Sequence, residues 1–590
     1  MLNEILTHHA LEALRVLYGQ EAAGDDLQIQ KTRKEFEGDL TLVVFPYTRL
    51  SRKSPEDTGR QMGDYLLEHA GVFCRYNVVK GFLNLVVQDS WWLEYLEQNG
   101  GEYRPSGDVE PSRILIEFSS PNTNKPLHLG HIRNNLLGWS VSRILEAAGH
   151  EVYRVNLVND RGIHICKSML AWKRWGQGLT PEQCGKKGDH LVGDFYVLFD
   201  RHYKEEIATL VAEGMNEEEA ARQAPLIQEA QAMLKAWEEG DEEVRNLWQM
   251  MNAWVYSGFE ETYKRLGISF HKTYYESDTY LYGKELVGEG LKRGLLFQKE
   301  DGSVWIDLTD EGLDEKLLLR ADGTSVYMTQ DLGTAELRYA GYHPDRMVYV
   351  VGNEQNYHFD VLKKVLKRLE KNSATAIYHL SYGMVELPHG KMKSREGTVV
   401  DADALMDEME TTAREMTESL GKTAGSGAEE AQQLYRTVGL GALKYFILKV
   451  DPEKNMLFNP VESVDFDGNT GPFIQYTHAR ISSLMRKAEG IRVERKKEAV
   501  TMLPEEREVL ILCHDADAVL KKAAAGMSPA HIANYLYELA RAYNTFYQKI
   551  PVLKEEDADL RSFRLELSAL CGRILKYYLD LLGIEAPERM

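Results

Sequence analysis

Cysteine is scarce in this chain and follows no pattern. The five present, Cys74, Cys166, Cys184, Cys513 and Cys571, are odd in number and share no CxxC spacing. That argues against a disulfide framework and a structural zinc knuckle and fits a reducing compartment. No stretch approaches the ~18 uninterrupted apolar residues of a membrane helix, and the start, MLNEILTHHALEAL, lacks the basic and apolar regions of a secretion signal. A soluble, unexported, cytoplasmic protein is expected. Positive charge is also short, since 70 Lys and Arg face 91 Asp and Glu, a net charge of −21. The chain as a whole repels nucleic acid, so a polyanionic partner must meet a local basic patch. Internal repeats and low-complexity tracts are absent, and 43% hydrophobic with 27% charged residues is an ordinary globular balance.

What the chain does have is length, because 590 residues exceed one core and imply about three or four domains. Residues 1–110 combine a helical stripe, Leu2, Ile5, Leu6, Leu11, Leu14 and Leu17, with alternating runs over 76–87, an α+β pattern closed by a polar linker over 99–111. Residues 111–434 begin with a sharper signal. RILIEF at 113–118 reads as a strand, and a polar loop follows over 119–125. Ile132, Leu136, Leu137, Val141, Ile144 and Leu145 then form a helical face that ends at Gly149, and 152–158 reads as another strand. Strand, loop, helix and strand make a βαβ unit, which requires a parallel sheet covered by helices. An acidic, helix-patterned insertion spans about 185–255, and strand-like runs at 304–308 and 347–351 are expected to complete the sheet. From 435 to 590 the periodicity is helical, as in Ile532, Leu536, Leu539, Ala540 and Tyr543. The expected fold class is therefore α/β: a Rossmann-like parallel-sheet domain between an N-terminal α+β domain and an all-helical C-terminal domain.

Chemistry concentrates at Pro126-Leu127-His128-Leu129-Gly130-His131, between the first strand of the βαβ unit and its helix. A helix N-terminus offers N–H groups and partial positive charge to phosphate, Gly130 permits close backbone approach, and two imidazoles three residues apart can flank a polyphosphate. An ATP site is the functional reading; capping or core histidines are the alternative.

At these residues the chain resembles the class I aminoacyl-tRNA synthetases, whose signatures are HIGH and KMSKS. HLGH stands for the first, and Lys391-Met392-Lys393-Ser394-Arg395-Glu396-Gly397 is similar to the second, with Ser394 where the second Lys is usual. The arginyl-tRNA synthetases commonly make that departure, and in them a Lys just upstream of HIGH substitutes, a place held here by Lys125. Three further stretches resemble the same family. They are Ser119-Ser120-Pro121-Asn122 through Arg133-Asn134, the run from Arg320 through Tyr327 and Asp331 to Gly333, and Gly81-Phe82-Leu83-Asn84-Leu85. Gly468-Asn469-Thr470-Gly471-Pro472 with Gln475-Tyr476, and the terminal Pro587-Glu588-Arg589-Met590, resemble its anticodon-binding domain. At Asn159-Asp160-Arg161-Gly162 many relatives carry Trp in place of Arg161.

The resemblance implies an ATP-dependent arginine–tRNA ligase. Its catalytic groups would be Lys125, His128, His131 and Lys391, and its ATP contacts His128, Gly130, His131, Met384, Lys391, Met392 and Ser394. Tyr327 and Asp331 would read the arginine guanidinium, Asn122 and Glu276 would hold its α-amino end, and Gln355 would complete the pocket. The residue types suit a planar cation with five donors and no acceptor. Taken alone, Asp331 is as well read as a surface carboxylate and Tyr327 as a core aromatic. Mg²⁺ would arrive mainly on phosphate oxygens, with no protein metal cage and no structural zinc. Asn84, in the part resembling a tRNA-elbow domain, and Tyr476 are the expected contacts to tRNA(Arg); Tyr543, Phe546 and Tyr547 are stacking candidates that helical spacing also explains as core. Arg486, Lys487, Arg492, Arg495, Lys496 and Lys497 are either a basic patch for RNA or a solvated loop. A monomer without a membrane partner is expected. The rivals are a synthetase for another amino acid, a small-molecule adenylyltransferase and a non-catalytic paralogue.

Overall fold

A computed structural model describes residues 2–19, 27–33, 35–105, 109–386, 400–419, 427–490 and 500–590. They form two compact units. In the first, residues 1–104 with 480–516 and 538–575, the alternating runs become β1 (Ile29–Lys31), β2 (Leu40–Val43), β3 (Phe73–Val79) and β4 (Phe82–Val87). They make one antiparallel sheet in the order β1-β2-β4-β3, with helices Leu2–Tyr18 and Pro55–His69 in the same unit. Asn84 stands on β4, paired with Thr41 of β2 and Asn77 of β3. It lies inside this sheet at 1% exposure, its Oδ1 accepting from Thr41 Oγ1 (2.6 Å) and its Nδ2 donating to Asn77 Oδ1 (2.7 Å). With both ends engaged, the Asn84 side chain cross-links β2, β4 and β3. Asn84→Ala removes one partner each from the Thr41 hydroxyl, which keeps Thr32 Oγ1 at 3.0 Å, and from the half-buried Asn77 carbonyl, so a loss of about 1 kcal/mol in urea unfolding is expected.

The second unit, residues 105–479, 517–537 and 576–590, holds the parallel sheet. Its strands are β5 (Arg113–Glu117), β6 (Glu151–Val158) and β7 (Lys272–Tyr275), and, after a separate sheet of β8 (Phe297–Gln298), β9 (Val304–Ile306) and β10 (Lys316–Leu319), β11 (Arg346–Gly352) and β12 (Ile377–Tyr382). The spatial order β12-β11-β5-β6-β7 is parallel throughout. The run at 347–351 joins this sheet as expected. The run at 304–308 does not: β9 pairs antiparallel with β8 and β10. A three-residue apolar run carries no information on its partner, which is why pattern alone misplaced it. From β5 the chain steps outward to β6 and β7, then returns to the other side of β5 for β11. A topological switch point therefore lies between β5 and β11, the place where open α/β sheets bind ligands at their C-terminal edge.

The helical insertion is wider than its acidic stretch. Helices Ile163–Trp175, Gly188–Ala212, Pro225–Glu239 and Glu242–Leu266 fill the β6–β7 connection. They have a core of their own, with Leu170, Leu191, Phe195, Phe199, Leu226 and Ala230 among its members. The later residues are helical as expected, in Ala428–Leu448, Gly471–Lys487, Pro504–Gly526, Ala530–Lys549 and Ala558–Leu581. The interruption is β14 (Met456–Leu457), which pairs parallel with β13 (Val385–Glu386). Tyr543 and Phe546 are buried, and Tyr476 is half-buried beside the Phe466 ring.

Candidate active site

His128 N-caps the helix Leu129–Ala147 in a reciprocal box. Its Nδ1 accepts the Gly130 N–H at 3.1 Å, while its own N–H donates to His131 Nδ1 at 3.2 Å. Both Nδ1 atoms accept, so each neutral ring carries its proton on Nε2. Gly130 is required because an added Cβ would come within 2.9 Å of the His128 ring. The helix N-terminus is less open than expected, since the Leu129 N–H donates to Val400 O (3.1 Å) and that of Gly130 is already spoken for by His128. Burial, with Lys125 nearby, pushes the His128 imidazolium down to about 4. Burial, His128 and Lys125 push His131 well down in the same direction. Burial also lowers Lys125. The pair therefore serves as neutral donors beside one ammonium.

These groups wall a cavity of about 420 Å³ at the switch point, with Ser119, Ser120 and Asn134 on one side and Val350, Val351, Gly352, Glu354, Tyr382, Met384 and Glu386 on the other. Asn134 ties the two sides together: its Oδ1 accepts the Ser119 N–H (2.5 Å) and its Nδ2 donates to Val350 O (2.7 Å). Met384 is thus placed as expected, half open to solvent. Lys391, Met392 and Ser394 lie outside the described residues. Both approaches to that segment are anchored in the site. Before it, Arg133 donates to the carbonyls of Gly383 (2.7 Å), Met384 (3.0 Å), Pro452 (3.2 Å) and Lys454 (2.7 Å). After it, Asp401 forms an antiparallel bridge with His128, and Ala402 N–H donates to Leu127 O at 2.9 Å.

The expected amino-acid pocket gathers beyond the C-terminal ends of the same strands. Asn122 follows β5 and bridges Asn159 after β6; Glu276 follows β7 directly and Gln355 sits just past β11. Tyr327 opens the helix Tyr327–Tyr342, with Asp331 one turn on, and the Tyr327 ring is 74% exposed. Glu276 is buried at the start of the helix Glu276–Lys292. Two glycines bring these helices together backbone to backbone, for a Cβ on Gly333 would meet Gly283 N at 2.3 Å and one on Gly283 would meet Thr329 O at 1.9 Å. That approach sets Glu276 within electrostatic reach of Asp331. Burial, Asp160 and Asp331 raise the Glu276 carboxyl against Arg161 and a Gln330 hydrogen bond, leaving it near about 7. Asp331 in turn takes a 2.5 Å hydrogen bond from His358 Nε2.

A family model described as tRNA synthetases class I (R), catalytic domain, matches residues 98–459, and one described as DALR anticodon binding domain matches residues 474–590. Arginine–tRNA ligases of Bacteroides thetaiotaomicron and Porphyromonas gingivalis are 57% and 56% identical to this chain, covering 100% and 99% of both sequences. The solved Thermus thermophilus arginyl-tRNA synthetase superposes over 100% of both chains with a TM-score of 0.79 at 25% identity. The chain belongs to the arginyl-tRNA synthetases. As in that family's description, its class I catalytic sheet and its anticodon-binding helices are separate parts of one chain.

Several residues of this arginyl-tRNA synthetase site had no distinct sequence signal. His358 and Asp160 are single polar residues within ordinary helix-start and loop patterns. Arg133 was legible only as part of a motif, with nothing to say that it grips four carbonyls. Beneath the site, Arg338 Nη1 donates to Glu117, both buried, and Glu117 Oε1 accepts from Ser120 Oγ at 2.9 Å. This pair fastens the Tyr327–Tyr342 helix to the end of β5. The glycine contact supplies a test. Gly333→Ala must separate the two helices, so an increase of about tenfold in the arginine KM is expected in aminoacylation, with the ATP KM unchanged.

Proposed function

We propose that this chain is an ATP-dependent arginine–tRNA ligase. The single observation that carries the reading is the juxtaposition of two carboxylates, Glu276 and Asp331, at the same sheet edge as a cavity walled by Lys125, His128 and His131. Anionic groups suit a cationic amino acid; a cation and neutral N–H donors suit a triphosphate. Asp331 and Tyr327 take the guanidinium, Glu276 and Asn122 the α-ammonium, and Gln355 closes the pocket. The arginine carboxylate then attacks the α-phosphorus of ATP in line and pyrophosphate leaves, a step that needs positioning and charge stabilisation more than a base. His128, His131 and Lys125 supply the donors, Met384 and Gly130 the wall for the nucleotide, and Lys391, Met392 and Ser394 the second-signature contacts. The 2′-hydroxyl of the terminal tRNA ribose attacks the arginyl carbonyl in the second step, releasing AMP.

Glu354 and Glu386 are the cavity carboxylates that fit a hard cation such as Mg²⁺ held chiefly by phosphate and water, whose contribution would be to neutralise the departing pyrophosphate. Among the described residues, the one cluster of metal-ligating type in this unit, Asp189, His190 and Asp403, is already neutralised by Lys187 and Arg265. Residues 1–110 are read as the tRNA-elbow part, 111–434 as the catalytic part and 435–590 as the anticodon part, with Asn84 and Tyr476 the individual contacts to tRNA(Arg). No described helix is long and apolar enough to cross a membrane; the working state is read as a cytoplasmic monomer. Charging purified total tRNA with each amino acid in turn is the test. Arginine alone should be esterified, and lysine or cysteine charging in its place would refute the pocket assignment.

A further inference from the structure

We infer that the helical insertion is part of the amino-acid site: through Asp160 and Arg161 it fixes the place of Glu276 and holds a counter-charge beside it. The inference rests on the reading of Glu276 as the α-ammonium acceptor. Asp160 follows β6 and is gripped from two sides. On one, Trp248 Nε1 (2.6 Å) and Asn252 Nδ2 (3.3 Å) donate to its backbone carbonyl and Tyr256 OH (2.9 Å) to its Oδ2. Those three residues are successive turns on one face of the insertion helix Glu242–Leu266. On the other side, the Ser277 N–H (2.9 Å) and hydroxyl (2.7 Å) donate to the Asp160 carboxylate. Asp160 thereby ties the insertion to the first turn of the helix that begins with Glu276.

Arg161 adds the charge. Its guanidinium carbon lies 4.0 Å from the centre of the Tyr280 ring and 5.5 Å from that of Trp237, and its Nη2 donates to Glu238 at 2.6 Å. Trp237 and Glu238 belong to the insertion helix Pro225–Glu239. Tyr280 is one turn beyond Glu276 on the same helix, so a guanidinium stacked on Tyr280 lies on the Glu276 face. The Arg161 side chain is 9% exposed. The strongest influences on Glu276 come from Arg161 and Asp160 beyond β6 and from Asp331 and Gln330 on the Tyr327–Tyr342 helix; Arg161 favours the ionised carboxylate, and Asp160 and Asp331 oppose it. Arg161 gives its Nη2 hydrogen bond to Glu238, so it acts on Glu276 as a nearby charge, and the Glu276 carboxylate, which takes a hydrogen bond from Gln330, keeps acceptor capacity for the substrate's ammonium. Arg161 and Glu238 are positioning residues; neither need touch arginine.

The test is aminoacylation by the full-length enzyme with arginine varied, together with inhibition by 5-guanidinopentanoate, which is arginine without its α-amino group. Arg161→Met should raise the arginine KM by about fivefold at pH 7 and towards tenfold at pH 6, the effect of roughly one unit in the Glu276 pKa. It should leave kcat within about twofold and the inhibition constant of the deamino analogue unchanged. The KM defect should shrink towards pH 9, where Glu276 ionises unaided, and Arg161→Lys should restore most of it. Glu238→Gln, a milder change at a partly exposed carboxylate, should raise the arginine KM in the same selective way. Equal weakening of arginine and analogue, or a fall in kcat with KM unmoved, would overturn the inference. Glu276→Gln separates the underlying reading: if that variant still prefers arginine over the analogue as the wild type does, the α-ammonium assignment falls, and the inference with it.

Discussion

Glu276→Gln is expected to make the ligand-free protein more stable at pH 8 while weakening arginine by about 10-fold to 100-fold, the worth of one charge-assisted hydrogen bond. Both effects have one cause. Burial, then Asp160 and Asp331, raise the Glu276 carboxyl from 4.5 to about 7 against the pull of Arg161. A carboxyl raised in the folded state favours folding when protonated. Its contribution is complete below the unfolded value near 4.5 and is lost as pH rises through about 7. At pH 8 the buried charge costs on the order of 3 kcal/mol, and a neutral glutamine avoids that cost. Thermal midpoints of wild type and variant should therefore coincide near pH 4, diverge between about pH 4.5 and pH 7, and stay apart by a constant amount above that, the variant melting higher. At one arginine concentration the midpoint of the wild type should rise more than that of the variant, which needs about 10-fold to 100-fold more arginine for the same shift. Equal midpoints at pH 8, or an unchanged arginine KM, would remove the buried charge from the pocket. The same titration gives the wild type an arginine KM that rises as pH falls below about 7, because the substrate's ammonium then meets a neutral carboxyl.

How far this site was legible in the sequence depends on whether a residue's partners are near in sequence. His128, Gly130 and His131 lie within one turn, so strand, loop and helix start could be read from spacing. Tyr327 and Asp331 could be placed on one helical face for the same reason. The fold class followed from the βαβ pattern at 113–158, which the structure realises as β5, the Leu129–Ala147 helix and β6. Long-range partners carry no such mark. Nothing in the sequence pairs Asp331 with His358, Glu117 with Arg338, or Arg161 with Glu238, because each contact is made by folding across tens to hundreds of residues. The place of Asn84 was equally silent: a polar residue at an alternating strand position does not say whether it faces solvent or, as here, is hydrogen-bonded inside the sheet. The 304–308 run shows the limit for strands, since apolar composition gives the element and not its sheet.

The charge state of the HLGH pair was the least legible feature and carries the second large prediction. The sequence suggests imidazoles flanking a polyphosphate without fixing their charge; burial keeps both rings neutral in the ligand-free site, with His128 at about 4 and His131 also pushed well down. Each ring then stabilises charge as an Nε2–H donor, in the manner of an oxyanion contact. Two substitutions at one position separate this role from helix capping. In His131→Asn, the amide oxygen can still accept the His128 N–H, as Nδ1 does now at 3.2 Å, while the Nε2–H donor is gone. In His131→Ala both are lost. Adenylate formation should fall by about 10²–10³-fold in each, whereas only the alanine variant should also lose about 1 kcal/mol of stability as a broken cap. tRNA affinity should stay near wild type in both. The pH profile gives an independent check: at saturating arginine the wild-type rate should not decline between pH 6 and pH 8, the interval in which an ordinary histidine near 6.5 discharges. A decline there would mean that the imidazoles act as cations, and a normal rate in His131→Asn would mean that this ring caps the helix and does nothing more.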